Sequence, residues 1–246
     1  MEESIKRTYA LTASDIDCHR RLRLSNLLSY LQNIATDHAE IIGIGGDEMM
    51  RDHGAFWMMV RSHLALRRPI TYEDGEVMIH TWHRGVTKSA TVFRDFDIYA
   101  GEELIGEAVA SWVIVDVESR RILKPGSIPA LHTAVRPVVV KEIIPAKVSM
   151  PEELHETFRR VVRYSDTDIN GHMNNTRYAD IACDAICYEQ FADRFVSEMK
   201  INYLRESFPG DELGILSATA GETCFVRGLG SAGESRFDVR MGMTLA

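Results

Sequence analysis

Two periodicities alternate along the chain. From Leu27 through Leu28, Leu31, Ile34, Ala35 and His38, apolar residues recur at helical spacing, with Ser25 ahead of them as the expected N-cap. This predicts an amphipathic helix ending near Gly43, in IGIGGD. Residues 8–13 before it alternate like a short strand. After it come Ala55–Leu66, 76–82, 90–98 and 107–116, rich in Val, Ile, Phe, Trp and Thr. Turn-forming EDGE and YAGEE separate these stretches. Consecutive strands joined by short turns build an antiparallel sheet.

The same order then repeats. Residues 157–164 read as a strand, a helix opens at Asn174 and runs to about Phe191, and strands follow at 198–204, 212–219, 224–229 and 235–244. Ser14-Asp15-Ile16-Asp17 recurs as Ser165-Asp166-Thr167-Asp168, and LRRPITYEDGEV is echoed by LRESFPGDEL. A helix followed by an antiparallel sheet, twice over, predicts an α+β tandem hot-dog, each helix wrapped by its sheet. The expected division is an N-terminal hot-dog over 1–135, a proline-containing linker over 136–156 and a C-terminal hot-dog over 157–246.

Composition narrows the function classes. A net charge of −8 argues against general nucleic-acid binding. No run of about 18 apolar residues suggests a membrane span, and MEESIKRTYALTASD has neither a signal-peptide core nor transit-peptide composition. The expected compartment is the cytoplasm. Of the four cysteines, Cys183 and Cys187 share a face of the predicted helix. With no metal-ligand spacing nearby, Cys18, Cys183, Cys187 and Cys224 read as small buried residues, and no metal or cofactor is expected.

The unusual chemistry lies in YSDTDINGHMNNTRY, residues 164–178. Asp168, Asn170 and His172 stand at i, i+2 and i+4, one side of an extended chain, and Gly171 permits a turn or a close approach. A helix opening at Asn174 would aim free N–H groups at them, a place for developing negative charge. Asn174 and Asn175 read equally as helix cap and as site. Glu206, at the end of the next strand, is a candidate general base if the fold brings it beside His172. Ser165 and Ser207 are rival nucleophiles, but no GxSxG elbow is present.

These segments, in this order, resemble the acyl-acyl carrier protein thioesterases over nearly the whole chain. SYLQNIATDHAEIIGIGGD, WMMVRSHLALRRPITYEDGEVMIHTW and SWVIVDVESRRILKPGSIP look like that family's N-terminal hot-dog, DTDINGHMNNTRYAD like its site motif, and NYLRESF like its YRREC segment. The resemblance implies a catalytic set of Asp168, Asn170, His172 and Glu206, in which Glu206 activates water while Asn170 and His172 position it and stabilise the oxyanion. Ser207 stands where the plant pattern has Cys, which favours water over a covalent acyl-enzyme. The resemblance further implies an acyl tunnel walled by Leu27, Leu28, Leu31, Trp57, Met58 and Met59. It also implies an acidic acyl carrier protein partner docked by residues such as Arg20, Arg21 and Arg67. A fused pair of hot-dogs already supplies what single ones obtain by dimerising, so a monomer or a homodimer is expected. Hydrolysis of acyl-CoA and non-catalytic acyl binding are the alternative functions.

Overall fold

The computed structural model describes residues 3–84, 90–133 and 145–246. The part of the expected linker over 136–144 lies outside them. Two compact units are present: Met1–Leu11, Ser29–Leu64 and Glu73–Pro145 form the first, and Thr12–Leu28, Ala65–Tyr72 and Ala146–Ala246 the second. The second unit therefore takes two segments from the part of the sequence assigned above to the N-terminal hot-dog.

In the first unit the strands are β1 (Ser4–Ala10), β2 (Ala55–Leu66), whose last two residues belong to the second unit, β3 (Glu76–His83), β4 (Thr91–Ala100), β5 (Glu103–Asp116) and the short β6 (Ile122–Leu123). They are ordered β1-β3-β4-β5-β2, with β6 on β5. The helices are α1 (Leu24–Ile41), which begins in the second unit, α2 (Gly46–His53) and the single turn α3 (Ala130–Thr133). Ile42 and Ile44 after α1, Met49 of α2, Val92 of β4, Ile114 of β5 and Leu131 of α3 form one buried cluster. Leu31 and Ile34 are buried on the apolar stripe of α1; each such side chain contributes about 1.5–3 kcal/mol. Ser25 is not the N-cap. It lies inside α1, buried, and the first helical carbonyl is that of Arg23, which accepts the Leu27 N–H at 3.0 Å.

The second unit holds β7 (His155–Val161), α4 (Arg177–Asp184), β8 (Arg194–Tyr203), β9 (Glu212–Ala220), β10 (Thr223–Leu229) and β11 (Ser235–Leu245), with strand order β8-β11-β10-β9-β7. The buried face of α4 is Tyr178, Ala179, Ile181 and Ala182, and the Tyr178 ring packs 4.7 Å from that of Phe237 on β11. A helix on an antiparallel sheet recurs in both units, and the fold is α+β, a tandem hot-dog. The second helix is shorter than its pattern suggested. Cys187 turns to ψ 125 and a separate 3-10 turn covers Tyr188–Phe191. Cys187 is consequently off the helix and exposed, as is Cys18, while Cys183 is half-buried and Cys224 buried. Burial pushes the Cys183 thiol up to about 12, the behaviour of an inert packing group.

Candidate functional site

The polar stretch of the second unit folds into a tight turn rather than an extended strand. Thr167 and Met173 pair across it as an isolated antiparallel bridge. Inside, the Asp168 N–H donates to the His172 carbonyl at 3.0 Å and the Gly171 N–H to the Asp168 carbonyl at 3.1 Å. Gly171 has φ +79, which a residue without Cβ adopts freely. Asp168 Oδ1 accepts the Asn170 N–H at 2.9 Å. Asp168 and His172 are therefore joined across a turn, not along a pleat.

His172 lies between two carboxylates. Its Nδ1 is 3.7 Å from Asp168 Oδ1 and its Nε2 is 3.6 Å from Glu206 Oε1. The Asp168 side chain is 13% exposed and that of Glu206 49%, so one carboxylate faces the interior and the other reaches solvent. The Phe208 ring meets the imidazole edge-on at 5.9 Å. Asn170 is exposed at the tip of the turn. The preceding acid, Asp166, is structural: it is buried, accepts the Arg163 N–H at 2.8 Å and pairs with Arg160.

The segment carrying Glu206 is tied down by Arg236 of β11, a residue that no local sequence pattern singled out. The Arg236 carbonyl accepts the Leu204 and Arg205 N–H groups at 2.9 and 3.0 Å, and its guanidinium donates to the Glu206 carbonyl. The same guanidinium lies 2.8 Å from Glu234 and 3.4 Å from Asp211. Asp211 in turn accepts the Phe208 N–H at 3.0 Å.

Other expectations fare differently. The helix behind the turn starts at Arg177, not Asn174. Asn174 Oδ1 accepts the Thr176 N–H and hydroxyl, both at 2.9 Å, and the N–H groups of Asn174, Arg177 and Ala179 are spent on nearby carbonyls. An Asn side chain that bonds its own backbone two residues on holds the chain in a turn and delays the helix, so these N–H groups are not available to an oxyanion. Asn174 is a turn residue, and Asn175 is half-buried beside it. Ser207 is fully buried and its hydroxyl accepts that of Tyr178 at 3.4 Å. Burial raises the Tyr178 phenol above its ordinary pKa.

In the first unit Leu31 is buried, Trp57 donates its indole N–H to the Ile44 carbonyl at 2.8 Å, and Met58 and Met59 are half-buried on β2. Leu27 lines a cavity of the second unit. Of the basic residues expected to dock a partner, Arg21 is committed internally, to the carbonyls of Phe191 and Arg194. Arg20 is exposed and lies over the Tyr72 ring at 5.3 Å. Arg67 is exposed and already engaged by other groups. Among the described residues no three His, Cys, Asp or Glu side chains converge as metal ligands, and no helix is long and apolar enough to cross a membrane.

Comparison with known proteins meets this geometry from another side. The chain is 24% identical to dodecanoyl-[acyl-carrier-protein] hydrolase of Cinnamomum camphora over 234 residues, covering 88% of this chain and 59% of that protein. It spans less than two thirds of the length of this and the next three curated relatives it matches. Its fold is similar to an acyl-ACP thioesterase from Bacteroides thetaiotaomicron, with TM-score 0.86, 21% identity and 98% of each chain covered. It is also similar to a 12:0-ACP thioesterase from Umbellularia californica, with TM-score 0.79, 20% identity and 100% and 99% covered. Residues 2–125 match the acyl-ACP thioesterase N-terminal domain and residues 150–234 the C-terminal domain. With both domains matched in order along a tandem hot-dog, the chain belongs to the acyl-ACP thioesterase family.

Proposed function

We propose that the protein hydrolyses the thioester of a fatty acyl chain carried on acyl carrier protein, releasing free fatty acid and the carrier thiol. The observation that carries this reading is the line Asp168–His172–Glu206, each imidazole nitrogen facing one carboxylate oxygen. Both separations exceed a hydrogen bond, as is common before substrate closes such a site. Glu206 is the half-exposed member, with access to water. It takes a proton from water as the water oxygen attacks the thioester carbon. Asn170, at the exposed tip of the turn, offers its carboxamide N–H to the resulting oxyanion. Collapse then breaks the C–S bond, and the departing thiolate takes the proton from Glu206. Asp168 fixes the turn through the Asn170 N–H and orients His172, which positions Glu206 and the water.

The relatives' names point to acyl carrier protein rather than coenzyme A as the acyl carrier. Purified protein offered matched acyl-carrier and acyl-CoA thioesters tests this, and a strong preference for the CoA substrate would overturn it. Glu206→Gln is expected to lower kcat by about 10²–10⁴-fold while the protein stays folded. Ser207→Ala is expected to stay within about threefold of wild type. The reverse pattern would make Ser207 the nucleophile and reject the water route.

A further inference from the structure

The loop that carries Asp168 and His172 has a twin earlier in the chain. The sequence offset that maps Ser14–Asp17 onto Ser165–Asp168 also maps Ile16 and Leu22 onto Thr167 and Met173, and both pairs form isolated antiparallel bridges. The Asp17 N–H donates to the Arg21 carbonyl at 2.7 Å as that of Asp168 does to His172 at 3.0 Å. The Arg20 N–H donates to Asp17, and the Gly171 N–H to Asp168, both at 3.1 Å. Arg20 even holds φ +62 where Gly171 has +79, a conformation that a side-chain-bearing residue keeps only where its surroundings impose it. Asp17 Oδ1 accepts the His19 N–H at 2.8 Å, matching Asp168 and Asn170. The Leu22 and Met173 N–H groups donate to the Ile70 and Ser207 carbonyls, both at 2.8 Å. By this correspondence His19 stands at the place of Asn170, Arg21 at that of His172, and Pro69 at that of Glu206. The frame is intact, but the carboxylate proposed as the base has no counterpart.

This twin opens on a cavity of about 640 Å³ within the second unit, inside the ~300–1,000 Å³ range of small-molecule sites. Leu22, Leu27, Leu66, Ile70 and Phe195 give it apolar walls. Most of its charged lining residues have a partner within the second unit. Arg21 is held by two carbonyls, Arg177 is 3.2 Å from Asp180, Asp184 is 3.8 Å from Arg160, and Asp17 accepts the N–H groups of its own loop. Two groups keep capacity. Arg23 is exposed and donates to the Ser14 carbonyl through one nitrogen, leaving most of its guanidinium fork open. His19 Nε2 is buried without a hydrogen-bond partner among the described residues. These two donor groups suit an acceptor, beside walls that suit an alkyl chain.

We propose that this cavity is a non-hydrolytic binding site for a long-chain fatty acid, with the alkyl chain against Leu22, Leu66 and Phe195 and the carboxylate at Arg23 and His19. The site is separate from the hydrolytic one, and its test reads binding without turnover. Palmitate is titrated calorimetrically into the Glu206→Gln protein, then into the same protein carrying Leu66→Trp, which fills the cavity, or Arg23→Glu, an exposed change that leaves the core alone. Each is expected to weaken palmitate roughly ten-fold. In the protein that retains Glu206, both substitutions are expected to keep kcat/KM for acyl-carrier thioester within about threefold. The proposal is overturned if the parent protein does not bind palmitate, if Arg23→Glu binds it unchanged, or if hydrolysis falls in step with binding.

Discussion

At the scale of single residues, the site is half visible in the sequence. Asp168, His172 and Glu206 stand out as polar residues beside a glycine and at a strand end, and the structure brings them into one line. Their pairing was expected from an extended backbone and comes instead from a turn, because Gly171 accepts a positive φ and the Asp168 N–H finds the His172 carbonyl. Arg236 was not visible at all. It lies on a strand thirty positions after Glu206, and nothing near it in sequence marks its contact with the Glu206 carbonyl. Its side chain is only 16% exposed, and it links Glu234, Asp211 and the Glu206 segment. On the proposed mechanism it is a positioning residue. Arg236→Ala should lower kcat about ten-fold with KM changed far less, and Arg236→Lys, which keeps the charge but not the planar fork, should recover only part of it. Equal falls in both variants accompanied by a matching loss of thermal stability would make Arg236 a purely structural group.

At the scale of elements, strands were legible to within a few residues, because β-branched and aromatic residues between turn signals leave little else to form. Helices were less so. GDEMMRDH carries no apolar stripe, and only Met49 of α2 is buried, so its helicity rests on local bonding and on the left-handed Gly54 that ends it. The apolar run after Asp184 kept a helical rhythm, yet the chain leaves the helix at Ala185. Rhythm does not report where a backbone turns. One position decides how α4 meets its sheet. Gly228 on β10 lies opposite Phe237 on β11, and a Cβ there would collide with the Phe237 ring. That ring is fully buried against Tyr178 and has nowhere to retreat. Gly228→Ala should therefore destabilise the protein by about 1–3 kcal/mol through overpacking, and adding Phe237→Leu should return part of the loss. An unchanged denaturation midpoint for Gly228→Ala would mean that the sheet shifts freely here.

At the scale of the whole molecule, the repeat was legible because two stretches share both a motif and an element order, while the division into units was not. Thr12–Leu28 and Ala65–Tyr72 belong to the second unit although they precede it in sequence, and hydrophobic patterning cannot say which sheet a segment joins. Nor does patterning reveal the buried charge of the first unit. Arg94 is buried on β4 and donates to His38 Nδ1 at 2.7 Å, and burial lowers its pKa to about 10. Nearby His83 is held down to about 3, first by burial and then by the charges of Arg94 and His38. This has a sign and a window. Above the ordinary histidine value of about 6.5 both folded and unfolded chains carry His83 neutral, and its contribution to stability is complete. As pH falls below that value, the unfolded chain takes up a proton that the folded protein refuses until about 3, so stability declines through that interval. His83→Asn removes the titration while keeping a polar group of similar size. Between pH 7 and pH 5 the stability of the wild type should fall by about 2 kcal/mol more than that of His83→Asn, read from urea midpoints at each pH. Parallel profiles for the two proteins would show that His83 takes up protons equally in the folded and unfolded states, and that the acid sensitivity of the fold has its origin in other groups.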